Sequence, residues 1–157
     1  MLWSFKQSPV DAGMLNEHQV IEYLCKFLKD KRYKIKKLST PTEHGVDILA
    51  EAPDGKKMLY VEAKGATSSK RGTRRFGHPD GFDSSQWADH IAKALFQCCK
   101  YLNDHEDGSV EAGIALPKLS VGERLVHQIE RPLAKLGIVL FWVKDNGDVV
   151  EVRPPIP

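Results

Sequence analysis

GVDILAEAPDGKKMLYVEAKG, residues 45–65, carries the clearest folding signal of the chain. Two apolar runs, 46–52 and 57–64, flank the tetrapeptide PDGK at 53–56. Proline presets the first turn residue and glycine accepts a left-handed conformation, so this tetrapeptide is typical of a hairpin turn. The segment therefore predicts two antiparallel strands joined by a tight turn.

The length of this turn fixes which residues face each other across the hairpin. If Ala52 faces Lys57, then Asp47 faces Glu62. Directly opposed residues share one face, with Cβ atoms about 4.5–5.5 Å apart. Lys64 shares that face because side chains on a strand alternate. The hairpin thus predicts a cluster of two carboxylates and one ammonium, which a loop one residue longer or shorter would disperse.

The two opposed carboxylates suggest a metal site. They repel by about 1 kcal/mol in water and about 4 kcal/mol at an effective dielectric constant of 20. A divalent cation removes this repulsion, and carboxylate oxygens suit Mg²⁺ or Mn²⁺. Lys64 would then lie where an attacking water or a phosphate needs a cation. The alternative is an ordinary ion pair at a solvated strand end, because acid-x-Lys triplets are common.

The remaining periodicities predict an α/β (α+β) fold with a mixed sheet flanked by helices. Asn16 is expected to cap the first helix. The predicted elements are a helix over 17–31, strands over 33–38, 46–52 and 57–64, a helix over 84–102, a strand over 110–116, a helix over 120–136, and strands over 138–143 and 149–152. Their order is α-β-β-β-α-β followed by α-β-β.

The first helix offers a further carboxylate. Glu17 shares its helical phase with Ile21, Leu24 and Leu28, whereas Glu22 falls on the solvent side. An acid on an apolar face usually has a partner, so Glu17 would complete the metal site directly or through water. Alternatively, it occupies only the first turn, where a negative charge suits the helix dipole.

Composition bounds the class of protein. The chain has 157 residues, 41% of them hydrophobic and 28% charged, as in a single ordinary globular domain. It contains no apolar run of the roughly 20 residues that span a bilayer, and its N-terminus does not resemble a secretory signal. Three cysteines predict a reducing compartment rather than a disulfide framework. We therefore expect a cytoplasmic protein without membrane partners.

Basic charge is concentrated after the second hairpin strand. The net charge is only +2, yet the long polar loop over 65–82 contains a cluster of cations and an aromatic residue. Lys70, Arg71, Arg74 and Arg75 are predicted to hold phosphates, and Phe76 to stack on a base. The alternative is a solvated loop. Lys93 and the basic stretch 29–37 are weaker candidates for nucleic-acid contact.

These motifs resemble the PD-(D/E)xK nuclease superfamily, especially its Mrr-like and Holliday-junction-resolvase-like cores. The resemblance implies a single nuclease-like domain, 1–157. The resembling core covers about residues 15–117, and an α-β-β extension follows over about 118–153. Asp47 and Glu62 resemble the metal-binding carboxylates, Lys64 the catalytic lysine and Glu17 the helical acid. The resemblance also implies the backbone carbonyl of Ala63 as a metal ligand.

The resemblance implies a Mg²⁺- or Mn²⁺-dependent endonuclease that hydrolyses phosphodiester bonds in DNA. The sequence departs from some related families, which carry a glutamine soon after the acid-x-Lys strand. Here the nearest is Gln86, to which we assign a similar positioning role on nucleic acid. The residues do not decide between DNA and RNA. Sequence-specific cutting by a chain of this length would need a homodimer or a partner subunit.

Two other functions stay open at this point. One is a non-catalytic nucleic-acid-binding or assembly module that retains the nuclease fold. The other is a protein-interaction domain in which the charged pair is incidental. Opposed carboxylates argue against the first alternative, and the long basic loop argues against the second.

Overall fold

The computed structural model describes residues 14–39, 45–68 and 81–154. The elements are α1 (Glu17–Asp30), β1 (Lys34–Leu38), β2 (Ile48–Glu51), β3 (Met58–Ala63), α2 (Ser84–Asp104), β4 (Val110–Pro117), α3 (Ser120–His127), α4 (Glu130–Lys135), β5 (Val139–Val143) and β6 (Val149–Val152). The predicted order of elements is confirmed, except that two helices replace the one expected between β4 and β5.

The six strands form one mixed sheet in chain order, β1 to β6. The pairs β3–β4 and β4–β5 are parallel, and the other three are antiparallel. Parallel neighbours need crossover connections, which α2 and the α3–α4 pair supply. The fold is therefore α+β, with helices on both faces of a mixed sheet.

The β2–β3 hairpin has the register predicted from its turn. Ile48 pairs with Val61, and Glu51 pairs with Met58. The N–H of Ala52 donates a 2.9 Å hydrogen bond to the carbonyl of Lys57, which closes the hairpin. If this pairing is continued by one residue, Asp47, which directly precedes β2, lies opposite Glu62.

Two hydrophobic cores lie on opposite faces of the sheet. One contains α1 and is built from Leu15, Val20, Leu24, Cys25, Leu28, Ile48, Ala50, Leu59, Val61, Ala63, Ala115, Val139, Phe141 and Val143. The other contains α2, α3 and α4 and is built from Ala66, Trp87, Ile91, Ala94, Cys98, Ala112, Ile114, Leu116, Val126, Leu133, Ile138 and Trp142. Side chains of β3 alternate between the two cores, which places Tyr60 and Glu62 on the face covered by α2.

The single helix predicted over 120–136 is interrupted at Gln128 and Ile129. Pro132 explains the break. A proline has no N–H to donate four residues back, and its ring collides with the carbonyl at that position, which is Gln128. Helix α4 therefore begins anew at Glu130.

Helix α1 begins next to the end of β3. Asn16 caps the helix through a capping box with Gln19, as its sequence position predicted. The N–H of Ala66 donates a 2.7 Å hydrogen bond to the carbonyl of Leu15. A Cβ on Gly65 would lie 2.4 Å from the backbone nitrogen of Glu17, so only glycine permits this approach. No helix within the described ranges is long and apolar enough to cross a membrane.

Candidate active site

Asp47 occupies the position opposite Glu62, one residue before β2. Its Oδ2 accepts a 2.8 Å hydrogen bond from the N–H of Ala63. This bond joins the two strands one step beyond their last ladder pair, Ile48 and Val61. The carboxylate is thus held in place by the backbone of the neighbouring strand, and it also shares a hydrogen bond with the carboxyl group of Glu62.

Glu62 is a buried carboxylate in the sheet. Its exposed fraction is 4%, and no other charged side chain in the described ranges is that deeply buried. The hydroxyl of Tyr101 on α2 donates a 2.5 Å hydrogen bond to its Oε1. The ring of Tyr101 in turn packs on Tyr60, with centroids 4.8 Å apart. Packing and hydrogen bonding therefore fix one oxygen of Glu62.

The two carboxyl groups are held in an environment that disfavours full ionisation. Burial raises the pKa of Glu62 to about 7; the Tyr101 hydroxyl lowers it, and the charge of Asp47 raises it again. Burial also raises the pKa of Asp47, against the lowering effect of the Ala63 N–H. The pair therefore resists carrying two negative charges at once.

Lys64 lies among the acids. It follows β3 directly, and its N–H donates a 3.0 Å hydrogen bond to the carbonyl of Ala115 on β4. Its half-buried ammonium lowers the pKa of three carboxyl groups, those of Glu17, Asp47 and Glu62. The structure thus brings together the three residues that the hairpin register predicted.

Glu17 joins this cluster from the first turn of α1. Its pKa is raised by burial and by the charge of Asp47, and lowered by Lys64. Gly65 permits the approach that brings it there. The prediction that Glu17 faces the sheet is confirmed, whereas Glu22 is exposed and pairs with His18 at 3.2 Å.

Two residues of the site were not found from the sequence. Tyr101 continues the stripe of α2 side chains that faces the sheet, so helical periodicity could have located it beside β3. His90 lies on the same helix, and burial and the charge of Lys64 lower its pKa. Its Nδ1 is buried and has no hydrogen-bond partner among the described residues. No spacing in the sequence distinguishes His90 from an ordinary surface histidine.

The other candidate residues have different outcomes. Gln86 is the third residue of α2, and its side-chain oxygen accepts a 3.1 Å hydrogen bond from the N–H of Asp83 in a capping box. Its role on nucleic acid stays a prediction, as does the carbonyl of Ala63 as a metal ligand. The predicted phosphate-binding residues Lys70, Arg71, Arg74 and Arg75, and Phe76 with them, lie outside the described residues.

No family model, no curated protein and no solved structure matches this chain.

The donor set of the cluster suits a hard divalent cation. Its ligand atoms are carboxylate oxygens, and Mg²⁺ is commonly held by one or two carboxylates together with water and substrate phosphate. Within 14–39, 45–68 and 81–154, no three or more acidic, histidine or cysteine side chains form a metal-binding group. Asp47 and Glu62 fit as a two-carboxylate site, and a direct or water-mediated role for Glu17 stays a prediction.

A pocket of about 510 Å³ lies elsewhere on the molecule. Side chains of α3, α4, β5 and β6 line it, including Arg131, Trp142 and Arg153, and none of the four clustered residues takes part. The charged cluster at the end of β3 is therefore separate from this pocket.

Proposed function

We propose that this protein is a divalent-metal-dependent endonuclease that hydrolyses phosphodiester bonds in DNA. The observation that carries the proposal is the burial of Glu62 opposite Asp47, with Lys64 beside both. Burial and mutual repulsion both raise the cost of ionising these two carboxyl groups together. A bound divalent cation removes this cost, because it attracts both carboxylates.

Asp47 and Glu62 would hold the metal ion. Bound there, Mg²⁺ supplies neutralisation of the phosphate charge and activation of water. The chain contributes the orientation of its ligands, since the Ala63 N–H fixes Asp47 and the Tyr101 hydroxyl fixes Glu62. Glu62 must lose its proton to act as a ligand, so protons compete with the cation and metal affinity should rise with pH.

Lys64 supplies a positively charged group of the protein itself, in addition to the metal ion. As water attacks in line, negative charge grows on the non-bridging phosphate oxygens, and an ammonium fixed beside them stabilises that charge. The backbone bond to Ala115 fixes where the lysine leaves the sheet. Glu17, held close by Gly65, would orient a water molecule at the edge of the cluster.

The finer fold assignment belongs to the same proposal. A restriction-endonuclease-like core has the order α-β-β-β-α-β, which α1 to β4 follow, and in such a core the acid-x-Lys motif ends the third strand. Here Glu62 and Lys64 stand at the end of β3. The remaining α3, α4, β5 and β6 would be an extension of that core, and a homodimer or partner subunit stays a prediction.

The experiment is a cleavage assay of the purified chain on supercoiled, linear, single-stranded and branched DNA, with an RNA strand as a further substrate. Each reaction contains Mg²⁺, Mn²⁺ or EDTA. We expect cleavage with metal and none with EDTA. Absence of cleavage on every substrate, together with absence of metal binding to the folded protein, would refute the proposal.

A second candidate function is a non-catalytic nucleic-acid-binding module. One observation favours it: the described residues contain no metal-binding group of three or more side chains. This function predicts nucleic-acid binding that is independent of metal and that survives Glu62→Ala. The nuclease proposal predicts instead that Mg²⁺ strengthens binding and that this effect disappears in Glu62→Ala.

A further inference from the structure

The face of the sheet that carries Glu62 also carries a row of lysines on β1. Lys34 pairs with Glu51, which pairs in turn with Met58. Lys37 pairs with Leu49, which pairs with Tyr60. Opposed residues share a face, and Tyr60 packs on α2, so both lysines point to the α2 side of the sheet.

A β-bulge places these charges on one face. The register between β1 and β2 shifts between Ile35 and Lys37, leaving Lys36 as the extra residue. Ile35 packs on the α1 core on the other face. Without the bulge, Lys34 and Lys37 would point to opposite faces, because they are three residues apart. The bulge therefore brings both ammonium groups to the side of the carboxylates.

This part of the sheet is uncovered within the described ranges. Helix α2 packs on β3 and β4 rather than on β1 and β2. Lys34, Lys36 and Lys37 are exposed. Lys36 is paired with Glu51 at 2.9 Å, so it contributes little net charge to the surface. The net positive charge of this face thus comes from Lys34 and Lys37.

The lysine face continues directly into the candidate active site. The rows across β1, β2 and β3 are Lys34–Glu51–Met58, then Lys37–Leu49–Tyr60, and the next position on β2 and β3 is Asp47–Glu62. Rows on one face are about 7 Å apart along a strand. A Cβ on Gly45 would lie 3.6 Å from the Nζ of Lys37, which places that ammonium beside the segment that leads into Asp47.

We infer that Lys34 and Lys37 form a track that binds the phosphate backbone of the nucleic-acid strand entering the candidate active site. The inference rests on the proposed function. The Lys34 row lies two spacings, about 14 Å, from the Asp47–Glu62 row, and over that distance one strand of a duplex presents about four phosphates. The track lies beside an acidic cluster that by itself repels phosphate. The positive charge of the two lysines therefore supplies the attraction for the substrate that the carboxylates lack.

The competing explanation is that these lysines only protect an edge strand. β1 ends the sheet, and lysines on edge strands discourage pairing with another chain. That explanation requires charge on β1 but assigns no role in binding. It predicts that removing the lysines causes self-association and leaves nucleic-acid affinity unchanged.

The test compares two charge-matched double variants. Lys34→Gln/Lys37→Gln removes the track, and Lys26→Gln/Lys135→Gln removes two exposed lysines of α1 and α4, neither of which lies on β1. Affinity for a fluorescently labelled DNA duplex is measured by anisotropy in EDTA over a series of salt concentrations, so that binding is read without cleavage. Light scattering reports self-association, and circular dichroism reports folding.

We expect the Lys34/Lys37 variant to bind roughly ten-fold or more weakly at low salt. Its log–log salt slope should fall by about two, because each phosphate contact contributes about 0.9. The Lys26/Lys135 variant should bind as the unchanged protein does. Equal loss in both variants, loss in neither, or no duplex binding by the unchanged protein would overturn the inference.

Cleavage assayed separately in Mg²⁺ distinguishes the two proposals. Metal-dependent cleavage together with unchanged binding by the Lys34/Lys37 variant would refute the track and leave the nuclease proposal standing. Selective loss of binding in a folded protein that neither cleaves DNA nor binds metal would support the track and refute the nuclease proposal.

Discussion

The hydroxyl of Tyr101 on α2 donates a 2.5 Å hydrogen bond to Oε1 of Glu62 on β3. Through this bond the helix that covers one face of the sheet controls the ionisation of its buried carboxyl group. Burial alone would push the pKa of Glu62 still higher, and the hydroxyl lowers it towards neutrality. Tyr101 is therefore a positioning residue that acts through Glu62.

Replacing Tyr101 with phenylalanine should shift the pH dependence of cleavage. A hydrogen bond to a charged group contributes about 1.5–3 kcal/mol, equivalent to about one to two pKa units. Without the hydroxyl, the pKa of Glu62 rises above about 7, so activity at neutral pH falls and recovers at higher pH. The measurement is a pH–rate profile. A uniform loss at every pH would indicate that Tyr101 only supports the fold.

Glu62→Gln should stabilise the metal-free protein at alkaline pH. The native pKa of about 7 exceeds the ordinary value of 4.5, so between these pH values the native state binds more protons than the unfolded state. Stability of the unchanged protein therefore falls as pH rises across this window. At pH 8 the variant should gain about 1–3 kcal/mol in free energy of unfolding, and at pH 4 almost nothing.

Urea denaturation in EDTA at both pH values measures this difference. The matched control is Glu22→Gln, which changes an exposed acid of α1 and should show no such pH dependence. A variant that is less stable than the unchanged protein at pH 8 would contradict the proposal that Glu62 is a buried carboxylate that binds a cation.

Gly65→Ala should lower the free energy of unfolding by more than a glycine-to-alanine change in an ordinary turn does. The added Cβ would meet backbone atoms of Asn16 and Glu17 at 2.4–2.9 Å, and backbone cannot move aside cheaply. Gly137→Ala is the control, because its φ is 70° and nothing lies near the added Cβ, so it costs only about 1–2 kcal/mol. Thermal unfolding of both variants measures the difference. Equal losses would mean that α1 does not need its close approach to β3.

The sequence was sufficient for the part of the site that depends on one hairpin. Turn length and strand alternation locate Asp47, Glu62 and Lys64 relative to each other, because register follows from local chemistry. Tyr101 and the lysine track depend instead on the packing of α2 and on a β-bulge, which local patterns do not determine. Pro132 is a local signal for the break between α3 and α4, because proline disfavours a helix interior.

Glu17→Gln tests the two roles that the sequence left open for this acid. If Glu17 orients water at the site, cleavage should fall about 10–100-fold, as for other residues that act beside a metal ligand. If it only occupies the first turn of α1, cleavage should be unchanged, and because burial raises the pKa of Glu17 the variant should be at least as stable as the unchanged protein at neutral pH. Steady-state rates and urea denaturation, each with Glu22→Gln as control, separate the two outcomes.

The most direct test of the account is cleavage of DNA by the unchanged protein and by Lys64→Ala, in Mg²⁺ and in EDTA. We predict cleavage by the unchanged protein that requires Mg²⁺ and falls about 10²–10³-fold in Lys64→Ala, because one preorganised cation is lost from the reacting phosphate. Equal metal-dependent cleavage by both proteins, or intact DNA in every reaction of a folded protein, would contradict the assignment of Asp47, Glu62 and Lys64 as a nuclease site.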